Sequence, residues 1–171
     1  DRTVLEVFRG CNRGCRFCQS GATNRPLRAR SAAKLNELAR EAICNTGYSE
    51  MSMCALSISD YKELEELCDK LLEWCPDENV KLSLPSMRVD SFSEKLMDSI
   101  PGLKRGSFTF APEAGTQRLR DVIRKGVTNE DIKRTLNFVF SAGTTSVKLY
   151  FIDGLPNEKD EDVIGIASLA Q

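Results

Sequence analysis

Apolar runs of strand length alternate with helical stripes five times along these 171 residues, and that alternation restricts the fold more than any single motif does. Val4, Leu5, Val7 and Phe8 form a first strand that ends at Gly10. Over residues 32–46, Leu35, Leu38, Ala39, Ala42 and Ile43 recur at helical spacing, with Gly47 placed to end the helix. Residues 51–58 read as a second strand, and Asp60 with Glu63 as a capping box that opens a helix through Trp74. A third strand falls at 80–84, followed by a short helix over 94–99 that Pro101 and Gly102 close. A fourth, at 107–110, precedes two helices, 116–125 ending at Gly126 and 129–142 with Ile132, Leu136, Val139 and Phe140 on one face. The fifth strand, 146–152, turns at Gly154 and Pro156 into a helix from Asp160 onward.

Strands alternating with helices predict a parallel sheet with right-handed crossovers and a functional site at the carboxyl ends of the strands. A complete eight-fold barrel takes about 250 residues. The expectation is therefore an α/β fold, a partial, open and truncated β/α barrel of about five βα units. No linker divides the chain, so residues 1–171 read as one core domain. Its start at Asp1 and its stop at Gln171 inside a helical pattern suggest an excerpt that lacks the last strand and flanking domains.

Composition removes several chemistries. There is no histidine, which excludes Ser-His-Asp and Cys-His nucleophiles and histidine metal sites within the chain. A net charge of -1 argues against a global basic field for nucleic acid, leaving that partner open to local arginines only. Arg25, Arg28 and Arg30, with Arg118, Arg120 and Arg124, are candidates for such a rim, or merely a solvated face. No stretch approaches the roughly 20 apolar residues of a membrane helix, so a cytoplasmic protein without a membrane partner is expected.

Seven cysteines in a chain with no export signal favour reduced thiols or metal ligation. Cys11, Cys15 and Cys18 form CxxxCxxC directly after the first strand. Three thiolates at this spacing can hold three irons of a 4Fe-4S cluster and leave the fourth open. The alternatives are a non-catalytic electron-transfer module, in which a distant cysteine closes an iron–sulfur or zinc site, or coincidence. Cys54, Cys68 and Cys75 read as core residues and Cys44 is ambiguous.

With Phe17 just before its third cysteine, the loop resembles the signature of the radical S-adenosylmethionine (radical SAM) superfamily. The runs Glu6-Val7-Phe8-Arg9-Gly10-Cys11, Arg25-Pro26-Leu27-Arg28, Leu84-Pro85-Ser86-Met87-Arg88-Val89-Asp90, Ala111-Pro112-Glu113-Ala114-Gly115-Thr116 and Lys148-Leu149-Tyr150-Phe151-Ile152-Asp153-Gly154-Leu155-Pro156 extend the likeness over the whole chain. They resemble the branch often fused to a cobalamin-binding-like domain and related to the methylthiotransferases. The resemblance implies a 4Fe-4S cluster on Cys11, Cys15 and Cys18, S-adenosylmethionine chelated at the open iron, a 5'-deoxyadenosyl radical and an external electron donor. It implies cobalamin only through a domain outside these residues. Methyl or methylthio transfer is within its range, and the substrate is not readable.

Residue by residue, the resemblance places Phe17 against the adenine, with a core plug as the alternative. Where the superfamily carries a Gly-Gly-Glu-like stretch, this chain has Ser57-Ile58-Ser59-Asp60; Ser57 and Ser59 become the candidate contacts and Asp60 is equally a helix cap. Arg88 is a candidate for the cofactor carboxylate, or a structural ion pair. Glu113 suits ribose hydroxyls, with a helix N-terminal charge as its alternative. Gly154, Leu155 and Pro156 resemble the segment that shapes the adenine pocket.

Overall fold

The computed structural model describes residues 1–84, 87–92 and 108–171. Its elements are β1 (Thr3–Glu6), β2 (Phe8–Arg9), α1 (Ser20–Thr23), β3 (Arg28–Ala29), α2 (Ala32–Thr46) and β4 (Glu50–Cys54), then a 3-10 turn at Ile58–Asp60, α3 (Leu64–Leu72) and β5 (Lys81–Ser83). A second 3-10 turn at Val89–Ser91 precedes β6 (Phe108–Glu113), α4 (Gln117–Val122), α5 (Asn129–Ser141), β7 (Val147–Phe151) and α6 (Asp160–Ala170). The helix expected over 94–99 and its Pro101–Gly102 stop lie outside the described residues.

Parallel pairing is the rule, as the alternation requires. β1, β4 and β5 form one parallel sheet in that order, and β6 pairs with β7 in parallel. Among the described residues no ladder joins β5 to β6. The first strand departs from expectation by splitting at Val7. Its N–H donates to the Cys54 carbonyl at 3.0 Å, completing the parallel sheet, while its carbonyl accepts from Arg30 N–H at 3.4 Å. The chain thus changes partners at one fully buried residue, and β2 then pairs antiparallel with β3. The second strand stops at Cys54 rather than running through residue 58. Its neighbours end their pairing at Glu6↔Cys54 and Ser52↔Ser83, so nothing remains to extend the ladder.

Helix ends follow local chemistry where a short polar side chain is available. Ser31 caps α2 by accepting from Lys34 N–H, and Gly47 closes it in the left-handed region at φ 66°. Thr128 and Asp131 form a reciprocal capping box on α5. The box expected at Asp60 and Glu63 does not form: no side chain caps α3, because Glu63 accepts from Ala32 N–H at 2.7 Å and Asp60 is taken by Arg13. Trp74 reaches back across the helix pair to donate to Asn36 at 2.8 Å.

One core joins Leu5, Met51, Met53 and Leu82 of the sheet to Leu35, Ala39, Leu67 and Leu71 of the helices, and continues through Phe110 to Val139. On α5 the buried face holds Ile132, Thr135 and Val139, whereas Phe140 is exposed. Phe138 takes the inward place instead, its ring 6.1 Å from Phe92, which also meets Phe108 and Phe110 edge-on. A smaller cluster of Ala114, Leu119, Ile123 and Leu155 packs beneath the turn after β6. Among the described residues no helix is long and apolar enough to cross a membrane.

Candidate active site

The cysteine loop follows β2 and is held on three sides. Cys11 N–H donates to the Asn24 carbonyl at 3.0 Å, and Arg16 donates from its N–H and its guanidinium to the Ile123 and Val122 carbonyls at the end of α4. Between the first two cysteines, Arg13 reaches across the barrel mouth. It donates to Asp60 at 2.9 Å and to Asp90 at 2.8 Å, with a further short contact to Asp60. Burial alone would raise the Asp60 carboxyl, yet the Arg13 guanidinium holds it below the ordinary carboxylate value.

A cavity of about 380 Å³ opens against this loop at the carboxyl ends of the strands. Cys11, Cys15 and Cys18 line it as free, half-buried thiols. Phe17, Ser57, Arg88 and Glu113 line it too, so four cofactor candidates meet the three thiols. Phe17 is 38% exposed and therefore no core plug. The Ser57 hydroxyl oxygen is buried and, among the described residues, makes no hydrogen bond of good geometry, although it lies near enough to the Asp60 carboxyl to help hold it down; a polar ligand in the cavity would complete its bonding.

Arg88 takes the ion-pair alternative, and four other candidates lie off the lining. The Arg88 guanidinium is committed to Asp90 at 2.9 and 3.3 Å and to the Lys125 carbonyl at 2.7 Å. Ser59 lies outside the lining; its hydroxyl is 2.8 Å from that of Ser91 and accepts from Arg88 N–H at 3.4 Å. Gly154, Leu155 and Pro156 also stay off the lining, with Gly154 N–H donating to Glu158 at 2.6 Å and Leu155 buried in the small cluster. The basic rim dissolves in part, since Arg118 pairs with Asp162 and Arg120 is fully buried.

Lys125, which no sequence pattern marks, completes the site. Its ammonium pairs with Glu113 at 2.8 Å, with the two side chains only 9% and 14% exposed, and lies 6.0 Å from the centre of the Phe17 ring. Glu113 itself sits at φ 70°, a backbone conformation that costs a non-glycine residue on the order of 1 kcal/mol or more. A register shift in the β6–β7 ladder allows it, and the Glu113 carbonyl accepts from Ile152 N–H at 2.8 Å. Lys125→Met would leave a mostly buried carboxylate unpaired. The expected loss is about 2 kcal/mol of stability by urea unfolding, with Glu113→Gln in the same chain restoring part of it.

The other cysteines divide by face. Burial pushes the Cys68 thiol up to about 12 and Cys75 to about 11, so both stay protonated packing groups. Cys54, expected in the core, is exposed: β4 turns Met51 and Met53 inward, and Cys54 falls on the other face. Cys44 is exposed as well. Among the described residues no three cysteine or carboxylate side chains converge on one point as a single metal ion demands. A cuboidal cluster makes another demand, one thiolate on each of three irons, and three separate thiols on one wall are that donor set.

The profile of the radical SAM superfamily matches residues 5–170. This chain belongs to the radical SAM superfamily. An uncharacterized protein of Methanocaldococcus jannaschii is 38% identical over 168 residues, which are 98% of this chain and 36% of that protein. The threonylcarbamoyladenosine tRNA methylthiotransferase MtaB of Aquifex aeolicus is 24% identical over 94% of this chain and 40% of its own length. Among solved structures, the radical SAM methyltransferase TsrM of Kitasatospora setae superposes with a TM-score of 0.74 at 16% identity, over 98% of this chain and 34% of that one. At that identity the likeness is one of fold. This radical SAM chain spans at most two fifths of the length of these curated relatives.

Proposed function

We propose that this chain is the catalytic core of a radical SAM enzyme, with Cys11, Cys15 and Cys18 ligating a 4Fe-4S cluster whose fourth iron takes S-adenosylmethionine. The observation that carries the reading is one cavity joining three free thiols, a buried hydroxyl whose bonding is incomplete and a fixed carboxylate–ammonium pair. When bound, the cluster and S-adenosylmethionine supply a 5'-deoxyadenosyl radical.

The protein's own part is to bind, orient and exclude water. Ser57 offers its hydroxyl to a polar group of the cofactor. Glu113, fixed by Lys125 and by its left-handed backbone, accepts ribose hydroxyls, and the Phe17 ring covers the adenine. Arg88 acts at the edge of the cavity, holding the Lys125 carbonyl and Asp90 so that the ammonium keeps its place. Ser59 and the Gly154–Leu155–Pro156 segment support the lining from behind. Methyl or methylthio transfer is the favoured reaction class, since the relatives and fold neighbours include a methylthiotransferase and a methyltransferase. An external electron donor is required, and a cobalamin-binding-like domain is a candidate partner because TsrM is described with cobalamin bound.

The test is anaerobic reconstitution with iron and sulfide, then reduction with S-adenosylmethionine present. Release of 5'-deoxyadenosine is expected, and Cys15→Ala should abolish it. An assembled cluster that never cleaves the cofactor, in a protein that stays folded, would overturn the reading.

A further inference from the structure

A second cavity, of about 490 Å³, adjoins the first, and Leu56 lines both. It lies between the β2–β3 hairpin and the carboxyl end of β4, and it brings together Arg9, Arg25 and Arg28. Its one acidic lining residue among the described residues, Glu6, is already held by Arg9 at 2.8 and 2.9 Å and lies 3.9 Å from Arg30. Among the described residues, the guanidinium groups of Arg25 and Arg28 have no hydrogen-bond or ion-pair partner in the protein. Arg9 and Arg28 are also register partners in an antiparallel pair, where like charges directly opposite each other are destabilising.

The local backbone restrains this concentration of charge. The Asn24 carbonyl is bound to Cys11 N–H, and a Cβ on Gly10 would come within 2.8 Å of the Pro26 carbonyl oxygen and 2.9 Å of the Leu27 Cα. Segment 24–27 is thus pressed onto the start of the cysteine loop. A chain of net charge -1 holds two unpaired guanidinium groups at a concave wall beside its cysteines, and such groups match phosphate oxygens in two-pronged contacts.

We infer that this second cavity is a phosphate-binding site in which Arg25 and Arg28 anchor a phosphate-bearing substrate beside the cysteine loop. Phosphate binding stands on the arginines alone; that the ligand is the substrate rests on the radical SAM reading. The cavity is larger than a phosphate, and Phe8, Pro26 and Leu56 give it apolar wall for an attached sugar or base. The phosphate comes either from an RNA strand or from a small phosphate monoester.

Two probes separate these sources in the intact protein with its cluster assembled: a fluorescein-labelled single-stranded RNA followed by anisotropy, and adenosine monophosphate followed by calorimetry. At least one is expected to bind, and Arg25→Gln with Arg28→Gln should weaken that binding about tenfold or more. Lys34→Gln with Lys133→Gln removes the same charge from exposed helix faces and should change it less than about twofold. RNA binding that weakens steeply with salt points to the polymer, and binding of the monophosphate alone to the small molecule. Binding of neither probe, or equal weakening by both double variants, overturns the proposal. Release of 5'-deoxyadenosine without added substrate is read in parallel. Its absence alongside intact phosphate binding strikes the enzyme reading, and its presence without phosphate binding strikes only this inference.

Discussion

Arg120→Ala is expected to lower stability by about 3–5 kcal/mol, which in a domain of this size moves Tm by on the order of 10 °C. The side chain is fully buried, yet among the described residues none of its hydrogen-bond partners is a carboxylate. Its guanidinium donates to the Val127 carbonyl at 3.0 Å, the Ala114 carbonyl at 2.8 Å and Gln117 at 3.3 Å, with a further short contact to Asn129. One cation thereby ties the turn after β6 to α4 and to the start of α5. Truncation leaves several buried acceptors unsatisfied and opens a cavity, and each of those costs adds. Arg120→Lys keeps the charge but not the fork, so it should recover less than half of the loss. The check is the urea midpoint at constant slope; a loss under about 1 kcal/mol for the alanine variant would show that water replaces the fork.

Arg120 also shows where the sequence stops being informative. Arg118, Arg120 and Arg124 read alike as rim residues, because helical spacing gives a face but not the acceptors waiting on it. The structure sends one into the core, pairs the next with Asp162 and leaves Arg124 exposed at φ 53°. Arg13 is a similar case: its partners Asp60 and Asp90 are 47 and 77 residues away, and no local pattern connects them. What was legible depends on short range. The 32–46 helix with its Gly47 stop, the helix from residue 129 and the thiols converging on one wall all follow from neighbouring residues. What was missed depends on a choice between equivalents. Phe138 rather than Phe140 fills the core, Cys54 falls on the outer face of its strand, and Lys125, which no local pattern marks, presents a cation to Glu113.

The second large effect is steric and concerns the same turn. Gly115 follows Glu113 closely and lies against α6, where a Cβ would meet three backbone atoms: Ile166 N, Gly165 C at 2.5 Å and the Asp162 carbonyl oxygen at 2.6 Å. None can yield without moving the helix, so Gly115→Ala is expected to cost about 3 kcal/mol. The movement would also break the buried contacts that Asp162 makes with Thr116 and Arg118 and would loosen the base of the Glu113 turn. Gly165→Ala, across the same contact, meets first the Thr116 methyl at 2.8 Å, one side-chain atom rather than three backbone atoms; turning it away would break the bonds of the Thr116 hydroxyl to Asp162 and Leu119 N–H, so the cost should be smaller than for Gly115→Ala but not negligible. Gly126→Ala has open space but φ 67°, so only backbone strain of about 1 kcal/mol is expected. Hydrogen exchange separates the mechanisms: Gly115→Ala should speed exchange in α6 far more than in α2, whereas Gly126→Ala should not single out α6. Uniform acceleration across both helices in the Gly115 variant would mean that the close approach of α6 does not hold the turn in place.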